Sequence, residues 1–344
     1  MKVGLVYDPV YLKHDTGQHV ENAQRLEATI SHLEQTQLKQ QLTLIKPRAA
    51  STEEISLVHH NQYISHIRDV AQRGGGWLDV DTIMSPDSYQ AAIYAAGGAI
   101  RASEAVMNGE VGSAFALVRP PGHHATSLRA MGFCLFNNVA IAAKYALAKY
   151  KLDRVIIIDF DVHHGNGTQA AFYDNPQVLY VSTHQYPFYP GTGGIEETGS
   201  GAGKGTTINI PLPAGCGDAE YLQTFEQIIV PAARRFNPQF IIASAGYDLH
   251  WADEIALMQV STNGFAQMVK IIKGLADELC SGRLVFSLEG GYHLRALPYS
   301  VKATLDVLLG NANIEDPLGQ SPHRFKAPNI THLIRTIKEI HNLF

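Results

Sequence analysis

Strand-like and helix-like segments alternate along the chain, and that alternation predicts an α/β protein: a single domain with a mostly parallel, multi-stranded sheet and helices on both faces. Short apolar or β-branched runs fit buried strands, and the longer segments between them carry Ala, Leu, Glu and Lys at helical spacing. The 344 residues exceed the usual length of about 150 per domain, but α/β proteins often do, so residues 1–344 are read as one domain.

In chain order, Met1 leads directly into Lys2-Val-Gly-Leu-Val-Tyr7, too short for a signal segment and stopped by Asp8 and Pro9, so residues 3–7 read as the first strand. Further strands are expected at 114–118, 155–158, 178–181, 240–243 and 284–288. Helices are expected at 91–107, 138–150 and 221–236. The glycine-rich stretch 191–205 lies between strand candidates and carries Thr, Glu and Lys, which suits a shaped surface loop better than a linker. Residues 311–327 are polar and Pro-containing and read as a loop before a last helix.

Composition excludes several classes. With 45% hydrophobic and 17% charged residues the chain can bury a large core. A net charge of -5 without a Lys/Arg block leaves no footprint for direct nucleic-acid binding. No apolar run approaches the roughly 18 to 20 residues of a membrane helix. The three cysteines, Cys134, Cys216 and Cys280, form no CxxC pair and no disulfide framework, as in a reducing compartment, so a cytoplasmic location is expected.

The chemistry sits where strands end. Residues 155–158 run into Asp159-Phe-Asp161-Val-His163-His164-Gly-Asn166, and 240–243 lead through Ser244-Ala-Gly-Tyr to Asp248. Residues 114–118 run into Arg119-Pro-Pro-Gly-His123-His124, and 284–288 into Glu289-Gly-Gly-Tyr292. In open α/β sheets ligands bind at the carboxyl ends of the strands, so acids, imidazoles and a phenol are expected on one rim. Asp161 and His163, two residues apart, would share a side of an extended strand end, and Asp248 could join them from a neighbour. Two carboxylates and one imidazole suit a zinc-like ion with a position left for water. A strand-end turn with ordinary hydrogen bonds is the plainer account of Asp-x-His alone; the second Asp and the His pair favour the metal. Beside such a metal an imidazole of His123-His124 can accept a proton and return it to a leaving amine. Tyr292, after two glycines, is either a core tyrosine or a phenolic donor to a developing oxyanion.

These segments resemble the motifs of the histone deacetylase family, including bacterial deacetylase-like amidohydrolases and acetylpolyamine hydrolases, over nearly the whole chain. The resemblance rests on Arg119-Pro-Pro-Gly-His-His-Ala125, Gly132-Phe-Cys-Leu-Phe-Asn-Asn138, the 159–169 segment, Phe188-Tyr-Pro-Gly-Thr-Gly193, Ser244-Ala-Gly-Tyr-Asp248 and Leu288-Glu-Gly-Gly-Tyr292. It implies an arginase/deacetylase-type fold and one zinc held by Asp161, His163 and Asp248. It further implies His124 as general acid/base, His123 as an orienting neighbour bonded to Asp159, and Tyr292 as the group that polarises the acyl carbonyl. Phe133 and Tyr189 would wall a narrow tunnel lined by Gly132, with Asp81 at the rim and Arg25 at an inner cavity. A potassium ion near Asp159, Asp161, His163 and Ser182 is a further implication. The substrate class would be an acylated amine, on a protein lysine or a small molecule; homo-oligomerisation stays open.

Departures refine this resemblance. Asn166 stands where one branch has a second carboxylate, which resembles the class II branch; an amide orients an imidazole but stabilises imidazolium less. The His19-Val-Glu-Asn-Ala-Gln-Arg25 segment lacks both prolines of the related family pattern. Polyamine-selective relatives place an acid seven residues after the zinc-binding Asp, and here that position is Ile255, with Glu254 just before it. An acyl-lysine-like chain is therefore favoured over an acetylpolyamine. A binuclear manganese ureohydrolase would need carboxylates where this chain has Gly165 and His250. A silent acyl-lysine-binding protein is the remaining alternative, and no missing residue supports it.

Overall fold

The computed structural model describes residues 2–322 and 327–344. Among the described residues ten strands form: β1 (Val3–Val6), β2 (Thr43–Ile45), β3 (Gly76–Trp77), β4 (Ile83–Met84), β5 (Ser113–Ala116), β6 (Val155–Asp159), β7 (Val178–Gln185), β8 (Thr207–Leu212), β9 (Phe240–Ala245) and β10 (Leu284–Leu288). Eight make one sheet in the order β2-β1-β5-β10-β9-β6-β7-β8, with every pairing parallel. β3 and β4 form a separate antiparallel ribbon. Every residue of β1, β5, β6, β7, β9 and β10 is buried, as a parallel sheet covered on both faces requires. This is the α/β sheet that the alternation predicts.

The topology places four chemistry-bearing loops side by side. β9 and β10 insert between β5 and β6, so β5, β10, β9 and β6 are consecutive in the sheet although distant in sequence. Parallel pairing makes all four end on the same edge.

The helix at Asn138–Tyr150 coincides with its expected span and is capped by the Asn137 side chain, which accepts the N–H of Ala140. The helix expected at 91–107 starts earlier, at Ser88. The stretch 221–236 is not one regular helix: α-helix Asp218–Thr224 widens into a π segment, Phe225–Ile229, before α-helix Val230–Phe236. Pro231 accounts for the widening, since it lacks an N–H and its ring crowds the carbonyl four residues back. The edge strands β2 and β8 lie outside the predicted runs. β2 is three residues long and exposes Leu44; β8 contains Pro211, which an edge strand tolerates because its missing N–H costs no pairing there. A last helix forms at Thr331–His341, and the loop expected before it includes residues 323–326, which lie outside the described residues.

Candidate active site and metal centre

Asp161 and His163 lie beyond the end of β6, not on an extended strand end. The chain bends there: Asp161 Oδ1 accepts the backbone N–H of His163 at 2.9 Å, a local turn that folds the two side chains together. Asp248, beyond β9, reaches them and accepts the N–H of Val162 at 3.0 Å. The outcome is the expected trio by a different local geometry. His163 Nδ1 is 3.1 Å from Asp161 Oδ1 and 3.3 Å from Asp248 Oδ2, and all three residues are buried.

These residues fit a divalent ion. Apart from His163 Nδ1 at 3.3 Å, Asp248 Oδ2 is buried without a hydrogen-bond donor, a costly state that a cation would relieve. Glycine lets the backbone approach: a Cβ on Gly290 would lie 2.1 Å from Asp248 Oδ2, and one on Gly246 would lie 2.1 Å from Asp161 Oδ2. Burial, reinforced by Asp161, pushes Asp248 up to about 7 against the pull of His163. Burial acts to raise Asp161 too, but His123 and His163 outweigh it and hold that carboxyl well below its usual range. A second buried group, His123, Cys134 and Glu289, has comparable spacing. It is the poorer donor set, because burial raises the Cys134 thiol far above its ordinary value and metals bind the thiolate.

The adjacent imidazoles each have the partner that burial demands. His123 Nδ1 meets Asp159 Oδ2 at 3.2 Å, and His124 Nδ1 meets Asn166 Oδ1 at 2.8 Å. Burial disfavours protonated His123, but Asp161 and Asp159 outweigh it and lift its pKa to about 10. Burial, then His123 and His163, drives His124 well below the ordinary histidine value. The environment therefore favours the protonated form of His123 and the neutral form of His124. Gly132, with φ +56°, presses against the neutral one: a Cβ there would lie 2.2 Å from His124 Cδ2.

Tyr292 follows β10, and Arg25 fixes the segment before it. Arg25 donates from Nε to the carbonyl of Gly291 and from a terminal nitrogen to that of Glu289, both at 2.6 Å; the other terminal nitrogen bonds Glu21 at 2.9 Å. Its guanidinium carbon lies 4.8 Å from the centre of the Tyr292 ring. Arg25 is fully buried, and its contacts are with Glu21, the Tyr292 ring and the backbone that carries Tyr292. Phe133 stands edge-on to Tyr292 at 5.8 Å, and Tyr189 edge-on to His124 at 5.2 Å. Asp81 is half-buried and accepts the N–H of Gly132 at 3.2 Å. Ile255 is half-buried, whereas Glu254 is exposed, so the acid stays a solvated loop residue. Ser182 pairs with Asp159 across β6 and β7, and its hydroxyl bonds His184 at 2.9 Å.

The histone deacetylase domain family matches residues 19–308 of this chain. The chain belongs to the histone deacetylase family. It is 39% identical to a probable deacetylase of Archaeoglobus fulgidus, over all of this chain and 99% of that one. It is 38% identical to a histone deacetylase-like amidohydrolase of Pseudomonas aeruginosa, over 87% of this chain and 80% of the relative. A crystal structure of the HDA15 HD domain superposes with a TM-score of 0.90 at 34% identity, covering 100% of this chain and 95% of that one. The fold is therefore of the arginase/deacetylase type, and this family member is a hydrolytic enzyme.

Gly165 and His250 stand where a binuclear centre would need carboxylates. A Cβ on Gly165 would lie 2.3 Å from Asp159 Oδ2, leaving no room for a carboxylate, and His250 stacks on Phe265 outside the trio. Several supporting residues of the deacetylase were not singled out from sequence. Glu289 Oε2 accepts the N–H groups of Gly122 and His123 at 2.6 and 3.1 Å, Phe188 stacks on His163 at 5.3 Å, and Tyr180 donates to Asp159 at 3.1 Å. Glu289 and Phe188 lie inside the segments that carry the resemblance, which was the available signal. Among the described residues no helix is long and apolar enough to cross a membrane.

Proposed function

We propose that this deacetylase hydrolyses the amide bond of an acylated amine, with an acyl-lysine-like side chain as substrate and one zinc ion held by Asp161, His163 and Asp248. The observation that carries this reading is the trio's position beside the amide-anchored His124, whose ring centre lies 5.8 Å from that of His163. A divalent ion held there supplies Lewis-acid chemistry, polarising the acyl carbonyl and acidifying a water.

The protein's own groups do the rest. Asn166 Oδ1 faces His124 Nδ1, which assigns the ring hydrogen to Nδ1 and leaves Nε2 as the base. His124 takes a proton from the attacking water at Nε2 and returns it to the amine nitrogen as the C–N bond breaks. His123, paired with Asp159, supplies a fixed positive field. The Tyr292 hydroxyl, which has no hydrogen-bond partner among the described residues, donates to the oxygen that gains charge in the transition state. Phe133 and Tyr189 flank the acyl chain, with Gly132 between them, and Asp81 positions the substrate at the rim. Ile255 gives a cationic polyamine no counter-charge, which favours a neutral chain.

The same reading includes a potassium ion near Asp159, Asp161, His163 and Ser182 and a single catalytic domain over 1–344, since one eight-stranded sheet and one continuous core run through the described residues. It also includes a cytoplasmic location, consistent with three free, buried cysteines. The test is metal analysis combined with turnover of a fluorogenic acetyl-lysine amide. Zinc-dependent turnover supports the proposal, and a zinc-loaded protein that binds but never cleaves the amide overturns it in favour of a binding role.

A further inference from the structure

The amino-terminal edge of the sheet, opposite the catalytic rim, carries a surface cleft of about 660 Å³. Arg154 lines it just before β6, Thr206 just before β8, and Leu179 at the start of β7. Lys204, Arg235 and the end of the helix Thr331–His341 close it. Three cations thus converge where no lining residue is acidic, in a chain whose net charge is -5. None of the three forms an ion pair with a described carboxylate. Their field reaches the buried His341: burial first, then Arg235 and Lys204, lowers that ring to about 4.

Two of the cations are held in place. Arg154 Nε donates to the carbonyl of Asn237 at 2.9 Å, and one terminal nitrogen of Arg235 donates to the carbonyls of His341 and Asn342. These are C-terminal helix carbonyls, which attract cations and fix each guanidinium. The remaining N–H groups of both, and the whole Lys204 ammonium, have no hydrogen-bond partner among the described residues. Fixed donors lose little side-chain freedom when a ligand arrives. Helix capping accounts for Arg154 and Arg235; it does not account for Lys204.

We propose that this cleft binds a phosphorylated small molecule. Two planar forks and one point charge offer more donors than the two oxygens of a carboxylate accept, and they match the several oxygens of a phosphoryl group. The volume lies within the range of about 300–1,000 Å³ typical of small-ligand sites. Leu179 and Phe236 add an apolar wall for the part of the ligand that is not phosphate.

The experiment is calorimetric titration of the metal-loaded protein with sodium pyrophosphate, and with citrate as a polycarboxylate, at constant ionic strength. Lys204→Glu and Arg154→Gln are titrated alongside; Lys204 has no described side-chain bond to lose, so its variant keeps the fold. Chelation of the catalytic metal acts equally on parent and variants, so the difference between them reports the cleft. The expected result is saturable pyrophosphate binding with one site per chain, weakened about tenfold or more by Lys204→Glu, with amide turnover unchanged. Absence of saturable binding, an affinity in both variants equal to the parent's, or citrate binding as tight as pyrophosphate would overturn the proposal.

Discussion

The Asp253 carboxylate accepts the backbone N–H of Tyr292 at 2.6 Å, and the same oxygen takes the N–H of His293 at 3.0 Å. Asp253 is buried and stands two residues before Ile255, whose N–H its other oxygen accepts at 3.3 Å. One side chain therefore ties the loop after Asp248 to the segment that carries the phenol. Removing it leaves partly buried donors unpaired, at up to about 1–3 kcal/mol each. Asp253→Ala should lower kcat about tenfold or more, while Asp253→Asn, which keeps one acceptor oxygen, falls between variant and parent. Steady-state kinetics at unchanged metal content check this; equal kcat in all three proteins would remove the positioning role.

Tyr292→Phe deletes only the hydroxyl. Loss of one oxyanion donor typically costs on the order of a hundredfold or more in turnover, so kcat should collapse while KM changes little. A variant with normal kcat and a raised KM would make Tyr292 a binding residue.

Gly132→Ala drives a methyl group to within 2.2 Å of His124 Cδ2 at a φ of +56°. The predicted result is a folded protein with full metal content and sharply reduced turnover, because the base is displaced while the trio is untouched. Parallel metal analysis and kinetics read it; unchanged turnover would mean that the His124 ring has room to move.

Ile255→Glu adds a carboxylate to a half-buried position whose neighbour Glu254 points to solvent. Acetylspermidine turnover should rise relative to an acetyl-lysine peptide, since a protonated amine gains a counter-charge. A parent that already prefers acetylspermidine, or a variant with unmoved preference, would show that position 255 does not set the substrate class.

What was legible in the sequence follows from where information is local. The buried strands β6, β9 and β10 announce themselves as apolar runs, and Asp161, Asp248 and Tyr292 stand a few residues past them. β2 is too short and too exposed to leave such a signal, and Pro231 disguises a helix that widens around it. Strand periodicity predicts the Asp-x-His proximity, which arises instead from a side-chain-to-backbone turn that the two-residue spacing alone does not distinguish. Contacts such as Asp253 with Tyr292 or Arg25 with Gly291 join residues 39 and 266 apart, and only the folded topology reveals them.

The most direct test of the metal centre is the zinc content and acetyl-lysine turnover of Asp248→Asn. The amide keeps an acceptor for the N–H of Val162, so the fold is retained, but it removes the negative charge that the ion requires. The expected result is a folded protein with little bound zinc and little turnover, both partly restored at high zinc concentration. Full zinc occupancy with normal turnover in that variant would contradict it.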